Sequence, residues 1–341
     1  MSDSPYIELP RIRAVDGQPV RDTDASLIDF DRVAKHIAQA RGLGRYDGPT
    51  DPTDYLLARR CVGRVEGQLC ATLAGILCFG HDPQALLPHA VVDLGHYRGV
   101  EQRSFEVVHL AKNITGTLFD QLERIETYLW SNSHHGMTVT DGSFRRVDVH
   151  EYPQIVIREL CANMLAHRDY YRAESASRVM LFRNRIEWVS PGGLPPNVTV
   201  ENILSAQVAR NPQVLKIFYE AGYVEAFGQG LDTVVSVLKE ETMEAPMFVD
   251  TGESFIVTVF GRSSDELLGS AGGGLNENQR RILAFIQRKV EATPKELRDL
   301  CGDRARRSLN RDIAGLINAD LIEAVGSTRA QRYRIRGGGG A

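Results

Sequence analysis

The sequence predicts an α+β fold: helices laid on one face of a sheet, a small α/β segment before them and a separate helical module at the C-terminal end. Three observations carry that expectation. Helical and strand-like periods mix along the chain without a strict β-α-β alternation, which favours helices segregated onto one sheet face. A Gly/Ser-rich stretch from Arg262 to Gly274 has no apolar period and reads as a flexible linker. The segment of about 60 residues behind it is self-contained and basic.

In order, the first thirty residues read as irregular, and Asp31 to Ala40 as a helix. Tyr55 to Val65 and Ala71 to Phe79 alternate helix-like and strand-like patterns. Leu118, Leu122, Ile125 and Leu129 recur at helical spacing and place an amphipathic helix over Phe119 to Trp130. Pro153 opens a helix through Ala166. Ser177 to Phe182 and Arg185 to Val189 flank Arg183-Asn184 as a hairpin. Asn211 to Ala221 and Leu231 to Leu238 read as helices, and Phe255 to Phe260 as a closing strand. The expected division is an α/β segment at 1–104, a helix-on-sheet domain at 105–262, the linker at 263–275, a C-terminal module at 276–336 and a disordered GGGGA tail at 337–341.

Composition excludes several classes. At 341 residues with 43% hydrophobic and 25% charged, the chain can bury a core. Its longest apolar stretch, Ala71 to Phe79, falls well short of the ~20 residues of a membrane span. The N-terminus has no apolar secretion segment, so the expected location is cytoplasmic and no membrane partner is expected. Five cysteines form no C-x-x-C pair, and three lie in apolar runs, the pattern of reduced core thiols. His134-His135 has no other ligand at metal spacing and reads as a solvated loop. The net charge of -4 is uneven. Asn276 to Arg336 holds fourteen Lys or Arg against eight Asp or Glu, a net of +6, which leaves -10 on the body. A basic module on an acidic body points to a local polyanion-binding surface.

Three stretches could carry chemistry. In IRELCANMLAHRDY, Glu159, Asn163 and His167 share one helical face. A carboxylate there can orient or deprotonate a water, and an amide oxygen is a hard ligand for Mg²⁺ beside phosphates. The competing reading is a polar stripe facing solvent. In EWVSPGGLPP, Gly192 and Gly193 let backbone approach a ligand without an intervening Cβ, or simply make a turn. In FGQGL, Gly228 and Gly230 open a helix whose free N–H groups suit a phosphate, or open it with no ligand.

The order of these three stretches resembles the N, G1 and G2 boxes of the GHKL ATPases, among them gyrase B and histidine kinases. RELCANMLAHRDY, SPGGLPPNVT, ARNPQV and GYVEAFGQGLDTV resemble more closely the divergent bacterial family of RecG-related C-terminal domains and transcriptional regulators, from roughly Leu56 to Phe260. The resemblance implies a GHKL-like sandwich binding ATP and Mg²⁺. Asn163 would be the Mg²⁺ ligand and Glu159 the general base of a weak ATPase. His167, Gly192, Gly193, Gly228 and Gly230 would complete the nucleotide site. Ser190-Pro191 departs from the GHKL pattern, which has an aspartate before the G1 glycines. A kinase reading of His167-Arg168-Asp169 fails because Glu174 stands where its catalytic Asn belongs. No G-x-x-x-x-G-K-[ST] loop occurs, so no helicase motor is expected.

In the C-terminal module Asn276 to Lys289 is an amphipathic helix, and Thr293-Pro294-Lys295-Glu296 is a capping box that starts a second. Asp303 caps a third helix, with Leu309, Ile313, Leu316 and Ile317 inward. Leu321 to Val325 and Gln331 to Ile335 make a two-stranded wing. This is the pattern of a winged helix-turn-helix. Arg304, Arg307, Ser308 and Arg311 would read double-stranded DNA from the third helix, with Arg329 and Arg332 on phosphates from the wing. A protein-binding winged helix is the alternative. The expected protein is a DNA-binding transcriptional regulator, acting as a homodimer, whose DNA affinity is gated by nucleotide. The alternatives are an ATPase in DNA processing or defence, and a scaffold with a degenerate nucleotide site.

Overall fold

The computed structural model describes residues 15–139, 146–206, 208–225, 230–262, 277–301, 306–318, 321–326 and 331–335. The expected linker, the Asp303 cap and the glycine tail lie outside the described residues, as do residues 1–14 of the irregular N-terminal arm. The fold is α+β.

The N-terminal part runs through α1 (Phe30–Gly42), α2 (Pro52–Ala58), a hairpin of β1 (Val62–Val65) and β2 (Gln68–Ala71), α3 (Leu73–Phe79) and the single turn α4 (Pro83–Leu86). Asp51 caps α2, accepting from the Thr53 and Asp54 N–H groups, with Pro52 at the first helical position. Every residue of α3 is buried. Glu220, brought in from a later helix, is also buried, and burial works against its charge. Hydrogen bonds from His36, Tyr55 and Arg59 outweigh that and hold its carboxyl below the ordinary range. Tyr55 Oη donates to Glu220 Oε2 at 2.7 Å, so α2 is anchored by a satisfied buried ion.

The central part comprises β3 (Val92–Tyr97), β4 (Val107–Ile114), α5 (Leu118–Asn132), β5 (His135–Val139), β6 (Arg146–His150), α6 (Gln154–Ala166), β7 (Ser177–Leu181), β8 (Arg185–Pro191), α7 (Pro212–Glu220), α8 (Gly230–Glu240), β9 (Met247–Asp250) and β10 (Ser254–Phe260). Six strands form one mixed sheet in the order β4-β3-β7-β8-β10-β9. Only β3 and β7 are parallel; the other neighbours are antiparallel. The register sets Leu94, Val179, Trp188, Val257 and Phe248 in one row. Four of these join the main core, and Phe248 packs against it. Helices α5 and α6 pack together, as do α6 and α8, and α6 lies on β8. There Trp188 Nε1 donates to Cys161 Sγ at 3.3 Å. Tyr97, Met180, Phe182 and Val189 form a smaller cluster apart from the main core.

Two expectations change in this part. The sheet takes in Val92–Tyr97, which lies on the N-terminal side of residue 104, and one core runs from Ile28 to Val259. His134 and His135 are exposed, but not as a bare loop: His135 opens β5, and its Nδ1 lies 3.0 Å from His150 Nδ1 across the hairpin.

The C-terminal part has its own core, built from three helices, α9 (Glu277–Lys289), α10 (Pro294–Cys301) and α11 (Arg306–Asn318). With them is a small antiparallel sheet of β11 (Glu291–Ala292), β12 (Ile322–Val325) and β13 (Arg332–Ile335), in the order β11-β13-β12. The Thr293 hydroxyl accepts from the Glu296 N–H, and the Glu296 carboxylate accepts from the Thr293 N–H. That backbone bond, helped by Lys289, draws the Glu296 carboxyl down to about 2.

Candidate functional site

Helix α6 is apolar on almost every side. Val156, Ile157, Leu160, Cys161, Ala162, Met164 and Leu165 are all buried, and so is Glu159, at 2% exposure. The solvent-facing reading of the Glu159–Asn163–His167 stripe is therefore wrong for Glu159. A carboxylate in such a place must shed its charge or find donors. Burial pushes the Glu159 carboxyl up to about 7, and the hydrogen bond from Asn163 only partly offsets this.

Asn163 Nδ2 donates to Glu159 Oε1 at 3.1 Å and to the Glu159 carbonyl at 2.9 Å. Both amide protons are turned back along α6, which leaves Oδ1 as the acceptor end of the side chain. His167 follows the last turn of the helix. Burial and the neighbouring Arg210 charge draw its imidazole down to about 4, so it is neutral at pH 7.

The glycines close on these groups. Gly230 is the first residue of α8, and a Cβ there would stand 2.2 Å from Glu159 Oε1 and 2.6 Å from Asn163 Nδ2. Gly192 has φ +94°, and a Cβ on it would fall 2.0 Å from Arg210 Nη1. The corresponding space at Gly193 is taken by Asp250 Oδ1 and the Gly252 carbonyl. Their amides are also committed: Gly192 N–H donates to the Glu253 carbonyl and Gly193 N–H to the Gly252 carbonyl. The missing side chains at 192 and 193 thus make room for the protein's own groups. Gly228 lies outside the described residues.

Glu159, Asn163, His167, Gly192, Gly193 and Gly230 all line one cavity of about 260 Å³. Its wall is mostly apolar, with Leu160, Met164, Trp188, Leu204, Val208 and Phe255 among the lining residues. Eight residues separate Glu159 from His167, so the polar groups along α6 span about 12 Å. A cavity of this kind suits a ligand with a flat apolar part and a few fixed polar contacts. Among the described residues no group of three or more His, Cys, Asp or Glu could hold a metal ion. Mg²⁺ bound through one or two protein oxygens and ligand phosphates does not need one.

Sequence reasoning missed three polar residues of this cavity: Ser190, Arg210 and Asp232. Ser190 Oγ donates to the Met164 carbonyl at 2.9 Å. Arg210 Nη2 donates to the Gly193 carbonyl, and Nη1 lies 3.6 Å from Asp169 Oδ2. The signal for Arg210 was its neighbour. Asn211 is buried and its Nδ2 caps the end of α6, donating to the carbonyls of Ala166 and Arg168 at 2.9 and 2.8 Å. Residue 210 is thereby fixed beside His167.

The residues expected to meet DNA are placed only in part. Arg304 and Arg329 lie outside the described residues, and only the helical position of Arg307, in α11, is described. Arg311 is exposed on α11 and Ser308 is half-buried. Arg332 is exposed on β13, 3.8 Å from Glu291 Oε2. The body touches this part at Arg288, which forms an ion pair with both Glu244 oxygens at 3.0 Å. Asn184 Nδ2 donates to the Arg288 carbonyl at 3.2 Å.

Residues 175–259 match the family described as "Putative ATP-dependent DNA helicase recG C-terminal". That segment contains the glycines at 192, 193, 228 and 230 but not Glu159, Asn163 or His167. No curated protein matches the chain. Among solved structures, the DIP2311 protein from Corynebacterium diphtheriae is similar over 95% of this chain, at 20% identity and a TM-score of 0.60. The chain spans 64% of the length of that protein, and the likeness is one of fold. Among the described residues no helix is long and apolar enough to cross a membrane.

Proposed function

We propose that the chain is a nucleotide-responsive DNA-binding regulator, with a GHKL-type pocket for ATP and Mg²⁺ and a winged helix at its C-terminal end. The observation that carries the reading is the meeting of the two motifs: Gly230 at the start of α8 lies against the Glu159–Asn163 pair of α6. A helix N-terminus is thereby set beside the Asn163 side chain and a carboxyl that burial pushes up to about 7, an arrangement suited to a metal-bound polyphosphate. Asn163 Oδ1 takes the metal, and Glu159 is the candidate base for slow hydrolysis. The family match of residues 175–259 supports the nucleotide.

The three helices and three-stranded sheet behind residue 276 have the element order of a winged helix. Arg304, Arg307, Ser308 and Arg311 then face the major groove, and Arg329 and Arg332 the backbone. The gating has a route. Helix α8 runs from Gly230 at the pocket towards Glu244, and β8 (Arg185–Pro191) links Asn184, just before it, to Gly192, just after it. Both Glu244 and Asn184 hold Arg288. We take the working form to be a cytoplasmic homodimer on paired half-sites.

Calorimetry of Mg·ATP on the native protein and on Asn163→Ala tests the pocket. Saturable binding that the variant loses is the expected result. DNA affinity measured with and without nucleotide then tests the gating, since equal affinities would remove it. A second reading is favoured by the committed amides of Gly192 and Gly193: a scaffold that has lost its nucleotide and keeps only DNA binding. Absence of binding at millimolar ATP would select it.

A further inference from the structure

The cavity is electrically lopsided. Its two carboxyl groups, Glu159 and Asp232, belong to the end where α6 meets the start of α8. At the other end, near His167 and Gly192, stands the guanidinium of Arg210, the only Lys or Arg among the cavity-lining residues described. If the polyphosphate and metal occupy the Gly230 end, the base of the nucleotide lies beside Arg210.

We propose that Arg210 reads the edge of that base, and that the pocket prefers a 6-oxopurine nucleotide, carrying guanine or hypoxanthine, to an adenine nucleotide. This rests on the nucleotide reading above.

The argument is one of donors and acceptors. A guanidinium has five N–H donors and no acceptor. Adenine turns a 6-amino donor towards such a group, so donor would face donor. Guanine and hypoxanthine present O6 and N7, two acceptors at the spacing of the arginine fork. An adenine site needs an acceptor for the amine, and the two carboxylates at this end, Asp169 and Asp250, are already engaged. Asp169 is shared between Arg210 and Arg172, with Oδ2 3.6 and 3.8 Å from their nitrogens. Asp250 accepts from the N–H groups of Leu194 and Gly252.

Arg210, in contrast, is held in place with capacity to spare. Nη2 is fixed on the Gly193 carbonyl, and the guanidinium packs into the space that a side chain at Gly192 would fill. Nη1 is buried and makes no hydrogen bond. A buried donor left unmade is costly, and a carbonyl oxygen delivered by a ligand would satisfy it after a small turn of the side chain.

Calorimetric titration with the Mg²⁺ complexes of GTP, ITP and ATP tests this, on the full-length protein and on Arg210→Gln and Arg210→Lys. GTP and ITP should bind about tenfold more tightly than ATP, the discrimination expected of one bidentate arginine contact. ITP lacks the 2-amino group, so its agreement with GTP isolates the O6/N7 edge. Arg210→Gln should bring the three ligands to similar affinity. Arg210→Lys keeps the charge beside Asp169 but not the fork, so it should lose the preference too, and it serves if the glutamine variant fails to fold. ATP binding as tightly as GTP to the native protein would overturn the proposal and leave the nucleotide reading intact. A preference for GTP that survives both variants would also overturn it. Absence of binding by all three would overturn both.

Discussion

Asn163 donates to Glu159 Oε1 at 3.1 Å from one turn further along the same buried helix, so the amide steadies a carboxyl that burial has pushed up to about 7. Between pH 4.5 and 7 the folded protein keeps a proton there that the unfolded chain releases. Stability from this group therefore falls as pH rises through that window. The loss is on the order of 3 kcal/mol by pH 8. His167 acts in the opposite sense. Its folded value of about 4 means that stability falls as pH drops from 6.5 towards 4. The native protein should show a shallow denaturant-midpoint profile between pH 4.5 and 6.5, where the two slopes oppose. Glu159→Gln, which keeps the acceptor for Asn163, should be more stable than the native protein at pH 8 and should lose stability steadily below pH 6.5.

Gly230→Ala tests the meeting of α6 and α8. An alanine in an exposed helix would gain up to about 1 kcal/mol over glycine. Here its Cβ would lie 2.2 Å from Glu159 Oε1, so the helix start or the carboxyl must move. The expected outcome is a net loss of about 1–3 kcal/mol in urea unfolding. Nucleotide binding should weaken at least tenfold, a change that calorimetry would register.

Arg168 is 1% exposed, and its guanidinium donates to the carbonyls of Val91, His89 and Ser175 at 3.0, 2.5 and 2.7 Å. It ties the chain before β3 to the chain before β7, so its work is structural. Arg168→Ala should cost at least about 3 kcal/mol, because buried carbonyls would be left unpaired. A drop in thermal midpoint with little change in the Mg·ATP affinity of the remaining folded protein is the expected signature.

The thiols offer a chemical readout. Burial pushes Cys161 up to about 12 and raises Cys61 and Cys78 as well. A thiol reagent at pH 8 should modify Cys70 and Cys301, which are half-buried, and leave the other three until denaturant is added.

Arg288 and Glu244 form an exposed pair, which contributes about 1 kcal/mol or less to stability. Arg288→Ala should leave the melting temperature within a few degrees of native. It should also reduce any difference in DNA affinity between the nucleotide-bound and free states.

Elements with a strong local signature were legible in the sequence. The helix opened by Pro153, the hairpin around Arg183-Asn184 and the Thr293–Glu296 box stand where periodicity and capping put them. The missed strands lack such a signature. Val107–Ile114 is an edge strand with most of its residues exposed, so its sequence carries no alternation. Val92–Tyr97 has buried residues on both faces, so it shows no clean alternation, and its parallel partner lies far along the chain. Glu159, Asn163 and the glycines could be picked out because their types are unusual for their positions. Arg210 could be approached only through its neighbour, because its role depends on Asn211 gripping the end of α6 and on Gly192 leaving it room.

The parallel pairing of Val92–Tyr97 with Ser177–Leu181 has a kinetic consequence. Everything from Tyr97 to Ser177, helix α6 included, is a closed loop that must be gathered before the two strands register, and that entropy is lost before the contacts repay it. During synthesis α6 therefore emerges well before the sheet it rests on is complete. The sheet is finished only when Ser254–Phe260 arrives between its two neighbours. A chain released before that point would offer Arg185–Pro191 as a bare edge carrying Ile186, Trp188 and Val189, a template for aggregation. The last strand of the body thus covers that edge.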